Sequence, residues 1–411
     1  LHAILVTAGT DGDVHPFVGL GACLRTKGHQ VTLLANENFR SVATEQSLAF
    51  RPLLTDQETN DLLDNPNVWR PIKSGLIAAQ WGVRSIEKQY ELLKEIGTGK
   101  DEIVVAYPPI FAARLLHEAL SRPLVSLVVM PWMAPSVFRP AIAGVIPCPK
   151  WMPEWGTLFY WRLLHAVGDL LVGRHVNTIR KSLGLQPIRR VFEWWFSPQR
   201  IIAMFPDWYA PPQTAAAPEI RFAGFPMFDR SLGPLPSDLL EFCKAGDPPV
   251  AFTFGTGNKH AARSFRAAIE ACGILGTRGI LLTKFGHQLP PELPASIRYC
   301  PYAPFSQLFP HCAAIVHHGG FGTTSQALAA GKPQLILPMA FDQPDNAARA
   351  KQLGVAESIK PSSSGAQIAA RLAKLMRPQS QAACQALATR LTGQDPFAIA
   401  AEWIEEVADR S

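Results

Sequence analysis

Residues 313–346 read AAIVHHGGFGTTSQALAAGKPQLILPMAFDQPDN, and their character changes three times. The run 313–317 is continuously apolar, as a strand buried on both faces must be. His317-His318-Gly319-Gly320-Phe321-Gly322-Thr323-Thr324 is too glycine-rich to prolong it. A helical pattern then runs to Ala330, and 334–337 is strand-like again. Strand, loop, helix and strand in that order are the unit of a parallel, helix-covered sheet. The loop also carries a chemical prediction. The first N–H groups of the helix lack intrahelical partners and lie at the positive end of its dipole, so an anion is favoured there. Glycines allow close approach of the backbone, and the threonine hydroxyls and a histidine add donors.

The same alternation occupies the rest of the chain. Residues 2–7 read as a strand, followed by a glycine-bearing loop, a helix from about 15 to 27 closed by Gly28, and a strand over 30–35. Strand signals recur at 102–106 and 124–129, with a helical stretch at 110–120 between them, and again at 250–254 and 279–284. The chain is proline-dense from 206 to 237. A length of 411 residues exceeds what one core organises. The expectation is therefore an α/β protein of two domains, 1–205 and 238–395, joined by a linker at 206–237, with a terminal helix at 396–411 that could return to the first domain.

Composition narrows the function. Hydrophobic residues make up 47% and charged residues 18%, which excludes general disorder. Seven scattered cysteines without a CxxC pair suggest neither zinc nor a disulfide framework, and a reducing cytoplasmic setting is expected. The first residues lack the basic region and cleavage site of a signal peptide. No apolar run reaches the roughly 18–20 residues of a membrane span, so any membrane contact would be peripheral. The net charge of +6 favours anionic partners such as nucleotide diphosphates or lipid headgroups. Nucleic acid is set aside because the basic residues form no tract and no recognisable binding motif. Neither Gly9-Thr10-Asp11-Gly12 nor 319–322 forms GxGxxG, so the dehydrogenase fingerprint is missing.

The stretch 313–346 resembles the donor-binding signature of the family-one glycosyltransferases, which include sterol and antibiotic glycosyltransferases. The resemblance implies the GT-B fold, two Rossmann-like domains facing across a cleft, with the nucleotide sugar held by the second. Position by position it implies that His318, Gly320, Gly322 and Thr323 hold the diphosphate, with Thr256 and Gly257 on a second loop after 250–254. Asp342 and Gln343 match the pair that binds sugar hydroxyls; capping the helix that follows is the structural alternative. Tyr302-Ala303-Pro304 matches the nucleobase-stacking segment, with Tyr302 where tryptophan is common. Gln326 stands where many relatives carry a ribose-binding glutamate, a departure that weakens the case for uridine over thymidine.

In the loop predicted after the first strand, Asp13 matches the acceptor-activating position. Its chemistry suits a general base, while an N-cap of a helix starting near His15 is the structural alternative, and His15 is a rival base. The implied reaction is a single inverting displacement that needs neither metal nor cofactor, the nucleotide sugar being a co-substrate. Residues 130–171 are dense in aromatic side chains, and Trp132, Phe138 and Trp155, together with Thr10, are the expected acceptor pocket; core packing is the competing reading. The pieces FPDWYAPPQ and GFPMFD resemble rhamnosyltransferases of mono-rhamnolipid synthesis, which implies a dTDP-rhamnose donor and a hydroxy-fatty-acid lipid acceptor. Relatives with the same signature use UDP-glucose and sterol, polyketide or phenolic acceptors. A nucleotide-sugar epimerase and a catalytically silent carbohydrate-binding relative share the scaffold. The sequence does not fix the oligomeric state.

Overall fold

The computed structural model describes residues 1–96, 99, 101–133, 152–210, 220–229 and 233–410. The chain forms two compact units. One comprises Leu1–Leu62, Ile72–Pro226 and Asp395–Ser411, the other Leu63–Pro71 and Met227–Gln394.

Unit 1 is built on a parallel sheet of seven strands: β1 (His2–Val6), β2 (Gln30–Asn36), β3 (Ala49–Leu54), β4 (Glu102–Ala106), β5 (Leu124–Val128), β6 (Arg200–Ala203) and β7 (Ile220–Phe222). Their order is β3-β2-β1-β4-β5-β6-β7. The central strands are mostly apolar because helices cover both faces; Leu5, Leu33, Val105, Val125 and Ile202 are fully buried. The strand order reverses at β1, which pairs with β2 on one side and β4 on the other. At such a reversal the loops beyond the carboxyl ends diverge and leave a crevice for ligands.

Two features depart from the sequence reading. The first helix spans Asp11–Thr26 and so begins four residues before the expected start, which puts Asp13 inside its first turn. Thr10 is the N-cap, and Thr10-x-x-Asp13 forms a capping box. The range read as a linker, 206–237, contains β7, which extends the first sheet, and the chain leaves unit 1 at Pro226. The helix Pro396–Ala408 lies on the helix Asp11–Thr26. Gly19 is what admits it, since a Cβ there would overlap the Phe397 ring. Glu405 accepts from His29 at 2.6 Å and Lys27 at 3.0 Å, while Arg221 contacts Glu406 at 2.8 Å and lies over Trp403.

Unit 2 has a six-stranded parallel sheet: β8 (Val250–Thr253), β9 (Gly279–Leu282), β10 (Ile297–Cys300), β11 (Ala314–His317), β12 (Gln334–Ile336) and β13 (Ala356–Ser358). The order is β10-β9-β8-β11-β12-β13, which reverses between β8 and β11, where Thr253 is in register with His317. Phe252, Phe254, Phe265 and Leu372 fill the core on one face, and Leu282, Leu308, Phe309 and Ile315 the core on the other. Among the described residues no helix is long and apolar enough to cross a membrane.

Candidate active site

In unit 1 the site is organised by the turn after β1. Gly9 adopts φ +138°, and a Cβ there would overlap the Asp13 carboxylate. Asn36, buried at the end of β2, fixes this turn by accepting from the Gly9 N–H at 3.1 Å, and it donates to Thr59 Oγ1 at 3.2 Å. Thr10 donates to Asp13 Oδ2 twice, from its backbone N–H at 2.8 Å and its hydroxyl at 3.2 Å. Thr7 donates to the Asp13 carbonyl at 3.0 Å. Both bonds to the carboxylate thus fall on Oδ2, and Oδ1 is the oxygen left to accept a proton.

Burial raises the Asp13 pKa from 3.8 to about 6, against the lowering effect of the Thr10 bonds and with a small further rise from Asp11. A carboxylate of that basicity is ionised at neutral pH yet takes a proton readily. Asp13 is not an N-cap, as the structural alternative had it, but the N3 partner reaching back to one. His15 sets its ring edge-on to Phe39 at 6.0 Å. Of the expected acceptor residues, Thr10 touches Asp13, Trp132 is part-buried in the short turn Pro131–Met133, Trp155 is exposed, and Phe138 lies outside the described residues. No ring contact joins Trp132 to Trp155 among the described residues.

In unit 2 the expected diphosphate residues leave adjacent strands at the sheet's reversal point. Helix Phe321–Ala329 starts at Gly320, and its first closing bond runs from the Thr324 N–H to the Gly320 carbonyl at 3.0 Å. The Gly322 and Thr323 N–H groups therefore have no intrahelical partner. A Cβ on Gly322 would meet nothing within 4 Å, so this side of the helix start is open. At Gly320 a Cβ would stand 2.5 Å from His318 Nε2, and at Gly255, with φ +98°, it would stand 3.2 Å from the same nitrogen. His318 is thus pressed between the two glycine turns that follow β8 and β11.

The two histidines differ in role. His317 is fully buried, accepts from the Gly319 N–H through Nδ1 at 3.1 Å, and must therefore donate through Nε2 to Gln334 Oε1 at 2.9 Å. It shapes the turn and holds no ligand. Burial lowers its pKa to about 3, and lowers that of His318 to about 4 against the opposing Thr253 backbone. Both rings are neutral near pH 7, so the positive potential at this turn comes from the helix start.

Asp342 and Gln343 are buried at the start of the helix Gln343–Gln352. Gln343 Oε1 accepts from the Met339 and Ala340 N–H groups at 2.7 and 3.0 Å, so what it can offer a sugar is its amide N–H. Asp342 makes no side-chain cap; instead Asn346 donates to its Oδ2 at 2.6 Å and to the Gly319 carbonyl at 2.9 Å. Tyr302 is exposed beside buried Ala303. Gln326 turns its amide to Asp229 Oδ1 at 3.4 Å, and Asp229 also accepts from the Phe305 and Ser306 N–H groups. Thr256 is exposed and Gly257 buried on the loop after β8. That loop is held by Asn258, which donates to the Phe254 carbonyl at 3.2 Å and whose own carbonyl accepts from Gln288 at 2.8 Å.

Sequence reasoning passed over Asn36, Asn258 and Asn346. Each is buried and ties one stretch of main chain to another. For Asn258 and Asn346 the available signal was an amide residue directly after or inside a glycine or aspartate motif; Asn36, after an apolar strand, carried none.

Residues 3–139 match the N-terminal domain of glycosyltransferase family 28, and residues 280–405 match the C-terminal domain of erythromycin biosynthesis protein CIII-like enzymes. The O-mycaminosyltylonolide 6-deoxyallosyltransferase of Streptomyces fradiae is 30% identical over 378 residues, covering 87% of this chain and 85% of that protein. A sterol 3-beta-glucosyltransferase of Arabidopsis thaliana is 28% identical over 83% of this chain and 57% of its own length. The solved structure of the glycosyltransferase VinC in complex with dTDP superposes with a TM-score of 0.71 at 18% identity, covering 100% of both chains. With its two parallel sheets reversing where the ligand loops emerge, the chain belongs to the family-one glycosyltransferases of GT-B fold.

Proposed function

We propose that the chain is an inverting hexosyltransferase that takes a 6-deoxyhexose from a thymidine diphosphate donor, dTDP-rhamnose foremost, and joins it to a hydroxyl of a lipophilic acceptor such as a hydroxy-fatty-acid lipid. The observation that carries the reading is the buried carboxylate of Asp13, with a pKa of about 6, in the turn after β1 at the reversal of its sheet. The Streptomyces relative is named for transfer of a 6-deoxy sugar, VinC was solved with dTDP, and Gln326 offers a nucleoside an amide in place of a carboxylate. A reducing cytoplasm suits the unpaired cysteines.

In this mechanism Asp13 Oδ1 takes the acceptor hydroxyl proton as the oxygen bonds to the anomeric carbon. The bond from that carbon to the diphosphate breaks on the opposite face, and its electron pair leaves with the nucleoside diphosphate. Charge growing on the leaving group meets the unpaired N–H groups of Gly322 and Thr323, the Thr323 hydroxyl and His318, with the Thr256-Gly257 loop beside them. The Asp342 carboxylate accepts from sugar hydroxyls, and the Gln343 amide donates to them. Tyr302 stacks on the base beside Ala303, and Thr10 and Trp132 receive the acceptor, whereas Trp155, 74% exposed, is left out of that pocket.

A second reading, glucosyl transfer from UDP-glucose to a sterol, is supported by the Arabidopsis relative. Transfer assays crossing dTDP-rhamnose and UDP-glucose with a hydroxyalkanoyloxy-alkanoate and a sterol separate the two, with product anomers assigned by NMR. Turnover confined to UDP-glucose and sterol would replace the first reading with the second, and retention of anomeric configuration would sink both.

A further inference from the structure

Six of the ten large apolar side chains that stand furthest into solvent, among the described residues, lie in one stretch of unit 1. Trp155 is 74% exposed, Phe159 64%, Leu163 53% and Leu170 55%, and Val167 and Leu171 complete the group. Positions 155, 159, 163 and 167 recur every four residues and so share one face of the helix Glu154–Gly168. The π-helical turn Asp169–Gly173 carries the stripe on through Leu170 and Leu171. The helix is anchored beside and behind this stripe: Tyr160 at its flank is buried, and Gly168 lies so close to the Phe192 ring that a Cβ would overlap it. The apolar face is therefore held outward by packing behind it.

The charges along this stretch are one-sided. Arg162 is exposed between Phe159 and Leu163 on the same helix, and Arg174, Lys181 and Arg189 follow, all exposed. None of the four makes an ion pair among the described residues. The described acids of the stretch are already engaged. Asp169 accepts from the Arg190 and Val191 N–H groups at 2.9 and 2.8 Å, and Glu193 pairs with Arg190 at 3.3 Å. Single exposed apolar residues are ordinary on a protein surface, but a continuous aromatic-led stripe is not. A second copy of this face would set cations against cations. An aromatic and aliphatic stripe bordered by arginines fits the boundary between lipid headgroups and acyl chains, where the rings sink in and the guanidinium groups stay at the phosphates.

We propose that this helix face docks unit 1 on an anionic lipid bilayer. The docking is separate from sugar transfer, so it stands or falls without the donor and acceptor assignments above. The test is co-sedimentation of the full chain with vesicles of phosphatidylcholine containing about 30% phosphatidylglycerol, set against pure phosphatidylcholine and against high salt. Binding is expected only with the anionic vesicles and should weaken in salt. The double variant Trp155→Ser/Phe159→Ser should bind at least about tenfold more weakly, and Arg162→Gln about fivefold more weakly. Thermal melting checks that each variant is folded, and if the aromatic pair fails that check, Arg162→Gln combined with Arg174→Gln decides the question alone. Absence of binding to the anionic vesicles overturns the proposal, as does undiminished binding by folded variants. So does a dimer in light scattering that the aromatic variant turns into a monomer, because the face would then belong to a second copy.

Discussion

Asn346 donates its side-chain amide to Asp342 Oδ2 at 2.6 Å, and the same amide reaches the Gly319 carbonyl at 2.9 Å. One buried residue thus ties the glycine turn proposed to hold the diphosphate to the carboxylate proposed to bind the sugar.

Replacing it should damage both. Asn346→Ala leaves a buried carbonyl and a buried carboxylate without this donor, which costs about 1–3 kcal/mol of stability. KM for the donor should rise more than kcat falls, because the lost bonds position binding groups. Asn346→Asp should be worse than alanine, since it sets a second carboxylate against Asp342. Chemical denaturation and steady-state kinetics on both variants check this, and an alanine variant as stable and as active as the parent would refute the bridging role.

Gly320 and His318 make a linked prediction. A methyl group on Gly320 would stand 2.5 Å from His318 Nε2, so Gly320→Ala must push the imidazole off its place. His318→Ala removes the ring altogether. Each should weaken binding of the nucleoside diphosphate about tenfold to a hundredfold, as expected when a hydrogen bond to a charged group is lost. Because His318 is neutral above pH 4 in the free protein, the affinity should not fall between pH 6 and 8 through titration of this ring. Calorimetric titration across that range is the measurement, and a drop centred near pH 6.5 that vanishes in His318→Ala would show the ring working as a cation.

Asp13 predicts opposite effects on rate and stability. The base must be ionised, so kcat/KM should climb with pH through about 6 and then level off. The folded protein holds the proton more tightly than the unfolded chain, whose carboxyl titrates near 3.8. Between those values the folded state carries more protons, and stability therefore falls as pH rises through the window. Asp13→Asn keeps an acceptor for Thr10 but removes the charge. It should abolish transfer and raise stability at pH 7.5 by up to about 3 kcal/mol, the full equivalent of the shift, with less expected in practice. Denaturation at pH 4 and at pH 7.5 tests the sign: the advantage of the variant should shrink at acid pH, and a variant less stable than the parent at pH 7.5 would count against a destabilising buried charge.

The terminal helix depends on the absence of one methyl group. Gly19→Ala meets the Phe397 ring and should cost about 1–3 kcal/mol, as overpacking does. Phe397→Leu in the same chain should recover part of the loss. Additive melting-temperature losses in the double variant would show that the two positions do not couple.

How much of this the sequence discloses depends on how local each feature is. The turn around His318 was legible because strand, glycine turn and helix start follow one another within 313–330 and each leaves its own pattern. The position of Asp13 was legible, but its setting was not. Thr10 carries little N-cap signal, because its capping box ends in an aspartate where the usual motif ends in glutamate or glutamine. The short edge strands β10 and β13 carry charged or hydroxyl residues such as Arg298 and Ser358 and have only one neighbour each, so their pattern is weak. Asn36, Asn258 and Asn346 could not be ranked among the other asparagines, since their importance lies in main chain that folding brings to them. The contact of Gly19 with Phe397 joins opposite ends of the chain and has no local signature.

The return of residues 395–411 to the first unit also governs how this protein can be recombined with its relatives. A hybrid made by one splice near Pro226 would supply unit 1 with a foreign closing helix, whose side chains have no reason to fit Gly19, His29 or Arg221. Two splices, the second just before Asp395, would let the half proposed to recognise the donor be exchanged while the native helix stays on its own partner.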